Sequence, residues 1–223
     1  MPHVRFLAAL LAVFSSSGVL AAPFAVQLGD TRLALDAPPG FSDVQAMGSP
    51  RLLDLAEALT SASNRILLFA ISDADLRRFT LGDTPEFRRY MIAVTPKVLE
   101  RERMSPAAFG ALVRDSLVAP GSLPVAADLQ KYLDAQPPGK TSLLAELRRE
   151  PDVVSVLQGT RAPAQRRSSE APQYALSTTT LMLLRGKALN LSVYTLYENA
   201  SDLEWVRATT ARWIDDIARL NYR

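Results

Sequence analysis

The sequence predicts an α+β domain, with a largely antiparallel sheet, helices packed on that sheet and a long amphipathic C-terminal helix. Three observations support this fold class. Segments rich in β-forming residues meet through short turns near both ends of the chain, two apolar runs in the middle suit buried strands, and apolar residues repeat at helical spacing from Leu203 to Leu220. The predicted order of elements is β-β-α-β-β-α-α-β-β-β-α.

The first half of the chain carries a hairpin, a helix and two buried strands. Apolar and polar residues alternate from Phe24 to Leu35 around Gly29-Asp30, which is typical of a hairpin. Ser49-Pro50 provides a helix cap followed by proline at the first helical position. Ile66 to Ile71 is apolar throughout and Tyr90 to Val94 nearly so, which favours strands covered by helices on both faces.

The middle of the chain is predicted to be mainly helical. Ser105-Pro106 repeats the cap-and-proline start, and Pro120-Gly121 ends that helix. The remaining predicted elements are helices over Pro124 to Leu133 and Ser142 to Glu150, a strand from Val153 to Leu157, and a flexible loop without periodicity from Thr160 to Pro172.

The C-terminal third predicts a hairpin followed by a long helix. Strands over Thr178 to Arg185 and Ala188 to Glu198 flank Gly186-Lys187, which suits a type II′ turn. That turn would pair Leu184 with Leu189, Met182 with Leu191 and Thr180 with Val193. Ser201 and Glu204 form a capping-box pattern at the start of the helix, whose apolar stripe is predicted to face the sheet.

The N-terminus has the pattern of a secretory signal peptide. Met1 to Arg5 carries one fixed positive charge, Phe6 to Phe14 is apolar, and Val19-Leu20-Ala21 supplies small residues where signal peptidase cleaves. An apolar run of about nine residues is too short to cross a bilayer, which takes about 20, so an uncleaved membrane anchor is the weaker interpretation. We expect a signal peptide over residues 1–21, a single globular domain over 22–223 and a periplasmic location, with full secretion as the alternative.

Composition excludes several classes of chemistry. The chain has no cysteine, and its one histidine, His3, lies in the predicted signal peptide. Thiol nucleophiles, histidine bases, Cys/His zinc sites and haem held by His or Cys are therefore not expected, and we predict no cofactor and no metal. The formal charge of +2 falls to +1 without Arg5, which gives no sign of a nucleic-acid partner. Gly139-Lys140-Thr141 lacks the earlier glycine of a phosphate-binding loop, so no nucleotide is expected.

The densest group of charged residues lies between the two buried strands, from Asp73 to Arg89. Three interpretations are open: a solvated connection with surface ion pairs, an arginine fork for a carboxylate or phosphate, and a carboxylate pair for hydrolysis. Trp205 joins the candidates because tryptophan is enriched in interfaces. The candidate binding residues are Arg77, Arg78, Asp83, Glu86, Arg88 and Trp205. A second basic group, Arg161, Arg166 and Arg167, is either a solvated loop tip or a contact for an anionic partner.

Three features together carry a family resemblance. They are a strand running into Pro38-Pro39-Gly40-Phe41, a late hairpin ending in Arg185-Gly186-Lys187 and a terminal helix that bears tryptophan. The chain resembles uncharacterised exported proteins of proteobacteria, and its element order is similar to the Mog1/PsbP-like α/β/α sandwich. That sandwich is a protein-binding accessory module where its role is understood, so the resemblance implies binding and assigns no functional residue.

The sequence thus favours one function over another. The favoured function is that of an exported, non-enzymatic domain that binds an envelope protein or an anionic envelope component. The alternative is a carboxylate-dependent hydrolase that acts on an envelope polymer, with its site in the segment from Asp73 to Glu86.

Overall fold

The computed structural model describes residues 23–117, 129–163 and 173–222. Several sequence predictions fall outside these ranges: the signal peptide, the helix end at Pro120-Gly121, the start of the helix predicted from Pro124, and most of the loop with Arg166 and Arg167.

The described residues form nine strands and five helices. The strands are β1 Phe24–Leu28, β2 Thr31–Leu35, β3 Phe41–Asp43, β4 Asn64–Ser72, β5 Arg89–Pro96, β6 Thr141–Glu150, β7 Val153–Arg161, β8 Tyr174–Leu184 and β9 Lys187–Tyr197. The helices are α1 Pro50–Ala58, α2 Asp73–Thr80, α3 Pro106–Leu117, α4 Leu129–Asp134 and α5 Ala200–Asn221.

Seven of the strands build one antiparallel sheet in the order β3-β4-β5-β9-β8-β7-β6. The other two, β1 and β2, form a separate antiparallel hairpin. The predicted α+β class, with a largely antiparallel sheet and a long C-terminal helix, is confirmed.

The large sheet has helices on both faces. Leu68 and Ala70 of β4 lie in one apolar cluster with α5 and the β1-β2 hairpin, whereas Phe69 and Ile71 lie in another with α1. Because successive strand residues point to opposite faces, these two clusters lie on opposite sides of the sheet. Helix α3 joins the α1 side through a third cluster, formed with residues of β7 and β8. The buried strands β4 and β5 are therefore covered on both sides, as predicted.

The segment predicted to be a helix from Ser142 to Glu150 is a strand instead. Residues Thr141–Glu150 form β6, which pairs with β7 from Thr141↔Thr160 to Glu150↔Val153. Its helix-forming residues could make only a short helix, which is marginal in isolation, whereas pairing with β7 satisfies a whole row of backbone groups. The loop predicted from Thr160 is also corrected at its start, since Thr160 and Arg161 belong to β7.

The late hairpin is confirmed, but its turn lies one residue earlier than predicted. The turn residues are Arg185 and Gly186, with φ of 51° and 82°, and Leu184 pairs with Lys187. Two positive φ angles in succession define a type I′ turn in place of type II′. Met182 consequently pairs with Leu189 and Thr180 with Leu191. The pairing partner of each residue thus shifts by two positions along β9, which keeps every side chain on its predicted face.

The cap of the terminal helix also differs from the prediction. Asn199 replaces Ser201 as the N-cap, and its Oδ1 accepts a hydrogen bond from the Ser201 N–H at 2.9 Å. Asp202 completes the capping box by accepting from the N–H groups of Glu198 and Asn199. Burial alone would raise the pKa of Asp202, but these hydrogen bonds and one from Arg89 outweigh it and hold the pKa below its ordinary value.

Lys187 is almost fully buried, with 1% of its surface exposed. Its Nζ donates to the carbonyl oxygens of Glu100 and Glu102 at 3.3 and 2.9 Å and lies 3.4 Å from a carboxylate oxygen of Asp30. A buried ammonium needs such partners to offset its loss of hydration. Lys187 therefore ties the β1-β2 turn and the segment around residue 100 to the start of β9.

Candidate functional site

A cleft of about 870 Å³ lies beside the short edge strand β3. Its volume is within the range of about 300–1,000 Å³ that is usual for ligand pockets. Apolar residues Pro38, Pro39, Phe41, Leu76 and Leu220 line it together with charged Asp36, Asp73, Arg77, Asp216 and Arg219. We call this space the binding cleft.

The turn that follows β2 forms the middle of the binding cleft and is fixed by hydrogen bonds at both ends. Trp213 of α5 donates its indole N–H to the backbone carbonyl of Asp36 at 2.9 Å. At the other end, the Asp73 N–H of α2 donates to the Gly40 carbonyl at 3.0 Å. Gly40 has φ of 86°, which a residue with a side chain rarely adopts. The turn therefore holds α2 and α5 in position on either side of the cleft.

Asp36 presents a partly buried carboxylate to the cleft. Burial raises its pKa above the ordinary value, the backbone N–H of Ala37 partly offsets that rise, and the negative charge of Asp216 adds to it. Asp216 itself is paired with Arg219. Among the residues that the structure describes, Asp36 forms no ion pair, so its negative charge is available to a ligand.

We expect the Asp36→Asn variant to be slightly more stable than the wild type at neutral pH. A carboxyl group with a raised pKa in the folded state stabilises the fold only while it is protonated, so this contribution is lost as pH rises above the ordinary value of 3.8. The gain at pH 7 should stay below about 1 kcal/mol because the side chain is partly solvated. Urea unfolding at pH 7 and pH 3 measures it. A variant that is less stable than the wild type at pH 7 would contradict the assignment.

Asp73 and Arg77 come from α2 and face the cleft from the side opposite α5. A carboxylate oxygen of Asp73 accepts a hydrogen bond from the Ser42 hydroxyl at 2.7 Å, which links α2 to β3. Arg77 is exposed, and it forms no ion pair with any residue in the described ranges. The cleft thus contains one guanidinium, from Arg77, and two carboxylates, from Asp36 and Asp73, that form no ion pair within the described part of the chain.

A second cavity, of about 590 Å³, extends the binding cleft along β1. The two cavities share Asp36, Ala37 and Ser42, so they adjoin each other. The extension is lined by residues 24–27 of β1 and, across from them, by Asp43 and Arg65. Arg65 closes its far end, since its Nη1 donates to the Gln27 carbonyl at 3.1 Å. We call the two cavities together the groove.

Of the residues predicted to bind a ligand, only Arg77 lines the groove. Arg78 pairs with Glu86, and Arg88 pairs with Glu198. Asp83 is exposed in the connection that follows α2. The structure therefore does not assemble these charged residues into one site.

Trp205 is half-buried on α5 and lies behind one wall of the cleft. Its ring is 5.9 Å from that of Phe41, which lines the cleft, and the Arg89 guanidinium lies 4.3 Å from the Trp205 ring centroid. Arg89 also donates to Asp202 at 2.9 Å. Trp205 supports Phe41 from behind and does not itself line the groove.

Sequence reasoning missed Asp36, Asp216 and Arg219. Asp36 stands directly before the Ala37-Pro38-Pro39-Gly40 turn, and loops of this kind often carry function. The position of Asp36 before this turn was the sequence signal that could have identified it as a candidate binding residue. Asp216 and Arg219 lie on the exposed side of an amphipathic helix and carry no local signal of a site.

Two kinds of feature are not found among the described residues. None of their helices is both long enough and apolar enough to span a membrane. They contain no group of three or more side chains suited to hold a metal ion.

The fold and the groove together define an α+β domain with a cleft beside one edge of its sheet. The chain matches no known family model and no curated protein sequence. It is similar to a crystal structure of the Saccharomyces cerevisiae Ran-binding protein Mog1p, at 14% identity and a TM-score of 0.40, over 89% of this chain and 94% of that chain. A mutant of Mog1 matches equally, over 90% and 95%.

Proposed function

We propose that this protein is an exported, non-enzymatic binding domain that holds part of an envelope protein or another envelope component in the groove. The groove carries this proposal, because apolar residues line it together with Arg77, Asp36, Asp43 and Asp73, charged residues that form no ion pair among the described residues. Charges left unneutralised in a concave apolar site are suited to orient a ligand of complementary charge. The proposed periplasmic location is supported by the signal-peptide pattern of residues 1–21.

The alternative, a hydrolase with its site between Asp73 and Glu86, has less support. Asp75 is buried, and its carboxylate accepts hydrogen bonds from the hydroxyl of Ser72, the N-cap of α2, and from the Glu86 N–H at 2.8 Å. Glu86 is paired with Arg78. A carboxylate pair for hydrolysis needs two groups facing one open site. Asp75 and Glu86 instead fix α2 and the connection after it, and Asp73 accepts the Ser42 hydroxyl.

Photocrosslinking in the bacterial periplasm tests the proposed function. A photoreactive amino acid replaces Pro39, which is exposed, lines the cleft and occupies a turn position that accepts most residues. The matched control carries the same amino acid at Val98, which is 80% exposed and lies outside the groove.

We expect a specific crosslinked product from position 39 and none of that mass from position 98. The full chain is expressed at its natural level, and products are identified by mass spectrometry. The same product from both positions, or none from position 39, would argue against a ligand in the groove.

A further inference from the structure

The outer edge of β1 faces the groove with unpaired backbone groups. Ala25 lies opposite Ala34 in the hairpin. The N–H and C=O of Ala34 both bond to the side chain of Asn221, at 2.9 and 2.8 Å. Residues opposite each other in an antiparallel pair either exchange both hydrogen bonds or point both groups away. The N–H and C=O of Ala25 therefore point away from β2.

The backbone N–H and C=O of Gln27 also point away from β2, because side-chain and backbone directions repeat every two residues along a strand. The Gln27 carbonyl accepts the bond from Arg65 already described. In the part of the chain that the structure describes, nothing pairs with the Ala25 N–H, the Ala25 carbonyl or the Gln27 N–H. Three backbone groups thus face the groove in the spacing of a strand.

The other strand edges are protected against pairing. The edge of β2 is capped by Asn221, which is buried. The edge strand β6 has two register shifts and carries Glu146, Arg148, Arg149 and Glu150, and the opposite edge strand β3 is three residues long. Charged residues, irregular pairing and short length are the usual ways in which proteins prevent strand addition. By contrast, residues 24–27 of β1 are Phe-Ala-Val-Gln, without a charge.

From this arrangement we infer that the groove binds an extended peptide segment of another protein, which adds as a strand to the outer edge of β1, with a basic side chain near Asp36 and an acidic group near Arg77. This inference rests on the proposed function and names the ligand class. Backbone hydrogen bonds would supply affinity, and the two charges would select the sequence and direction of the peptide. Arg77 lines the binding cleft, and Asp36 lines both cavities.

The probe is a randomised seven-residue peptide library presented to the full chain. We expect enriched peptides to combine β-forming residues with one basic and one acidic position. A selected peptide is then synthesised, and its binding is measured by calorimetry to the wild type and to Ala25→Pro. Proline removes only the N–H that faces the groove and is tolerated in an edge strand. Ala25→Val is the matched control, because it keeps that N–H.

The expected result is a loss of affinity of about tenfold or more for Ala25→Pro and less than about threefold for Ala25→Val, in keeping with the loss of one or two backbone hydrogen bonds. N-methylation of the peptide at alternate amides should weaken binding similarly, which keeps the test valid if Ala25→Pro folds poorly. In the complex, the amides of Ala25 and Gln27 should gain protection from hydrogen exchange.

Other outcomes separate the two proposals. A peptide that binds Ala25→Pro normally and tolerates N-methylation, but is weakened by Arg77→Glu, would overturn strand addition and leave the proposed function standing. A peptide indifferent to all of these changes would count against both. Recovery of no peptide would also overturn the inference. So would dimerisation of the chain that Ala25→Pro abolishes, because the edge of β1 would then bind a second copy of the chain.

Discussion

The Trp213→Ala variant is expected to lose about 3–5 kcal/mol of unfolding free energy, the range found when a large buried aromatic residue is truncated. Trp213 is 1% exposed and lies in the main apolar cluster between α5 and the sheet. Its indole N–H also satisfies the Asp36 carbonyl, which the variant would leave without that partner. A loss of this size is a large part of the 5–15 kcal/mol that stabilises a typical domain.

Urea unfolding followed by circular dichroism measures this loss, and Trp205→Ala is the matched control on the same helix. Trp205 is half-buried, and its main contacts are with Phe41 and Arg89. Contacts of these kinds contribute about 0.5–1.5 kcal/mol each, so the control should lose about 1–3 kcal/mol, less than Trp213→Ala. Equal losses in the two variants would contradict the role of Trp213 as the main anchor of α5.

Trp213 also connects the stability of the fold to the geometry of the groove. Helix α5 packs against β8, β9 and β2. Trp213 donates a hydrogen bond to the carbonyl of Asp36, the residue directly after β2. The position of the Asp36 carboxylate therefore depends on core packing. Variants that loosen α5 should weaken ligand binding even where they leave Asp36 and Arg77 unchanged.

Local patterns predicted much of the fold because they coincide with its tertiary contacts. The first hairpin, the proline-started helices α1 and α3, the buried strands β4 and β5, and the stripe of α5 all follow from alternation, caps or helical spacing. In each of these elements the local preference and the burial agree. This agreement explains why all of them are confirmed.

One wrong prediction occurs where pairing with another strand decides the structure, and two occur where neighbouring residues offer competing local structures. The residues of β6 favour a helix locally, and only the edge of β7 makes them a strand. The late turn depends on Arg185 adopting a positive φ, which is uncommon for arginine. The predicted cap at Ser201 competed with Asn199 two residues earlier, and both residue types are good caps.

The groove was less predictable than the fold, since it is assembled from segments far apart in the chain. Asp36 directly follows β2, Arg77 lies on α2 and Asp216 lies on α5. Most candidate residues came from the densest charged segment, where three of the four arginines are paired, Arg78 with Glu86 inside the segment and Arg88 and Arg89 with Glu198 and Asp202 outside it. A charged residue that can bind a ligand is one that has no ion-pair partner in the fold. The sequence alone does not show which residues form ion pairs.

Reversal of one charge in the groove is expected to have the largest effect on binding. We expect Arg77→Glu to reduce the crosslinked product from position 39 at least about tenfold, since an attraction to an acidic group on the ligand becomes a repulsion. Arg78→Glu is a close control. Arg78 is the neighbouring arginine on the same helix, but it pairs with Glu86 and lies outside the groove. Both variants change the net charge equally, so non-specific electrostatic effects cancel in the comparison.

The ratio of crosslinked product in these two variants tests the central claim most directly. Both chains carry the photoreactive residue at position 39, and their amounts in the periplasm are matched before irradiation. We expect the amount of crosslinked product to be near that of the wild type with Arg78→Glu and about tenfold or more lower with Arg77→Glu. Equal yields, whether both are retained or both are lost, would contradict the claim that Arg77 contacts a ligand in the groove.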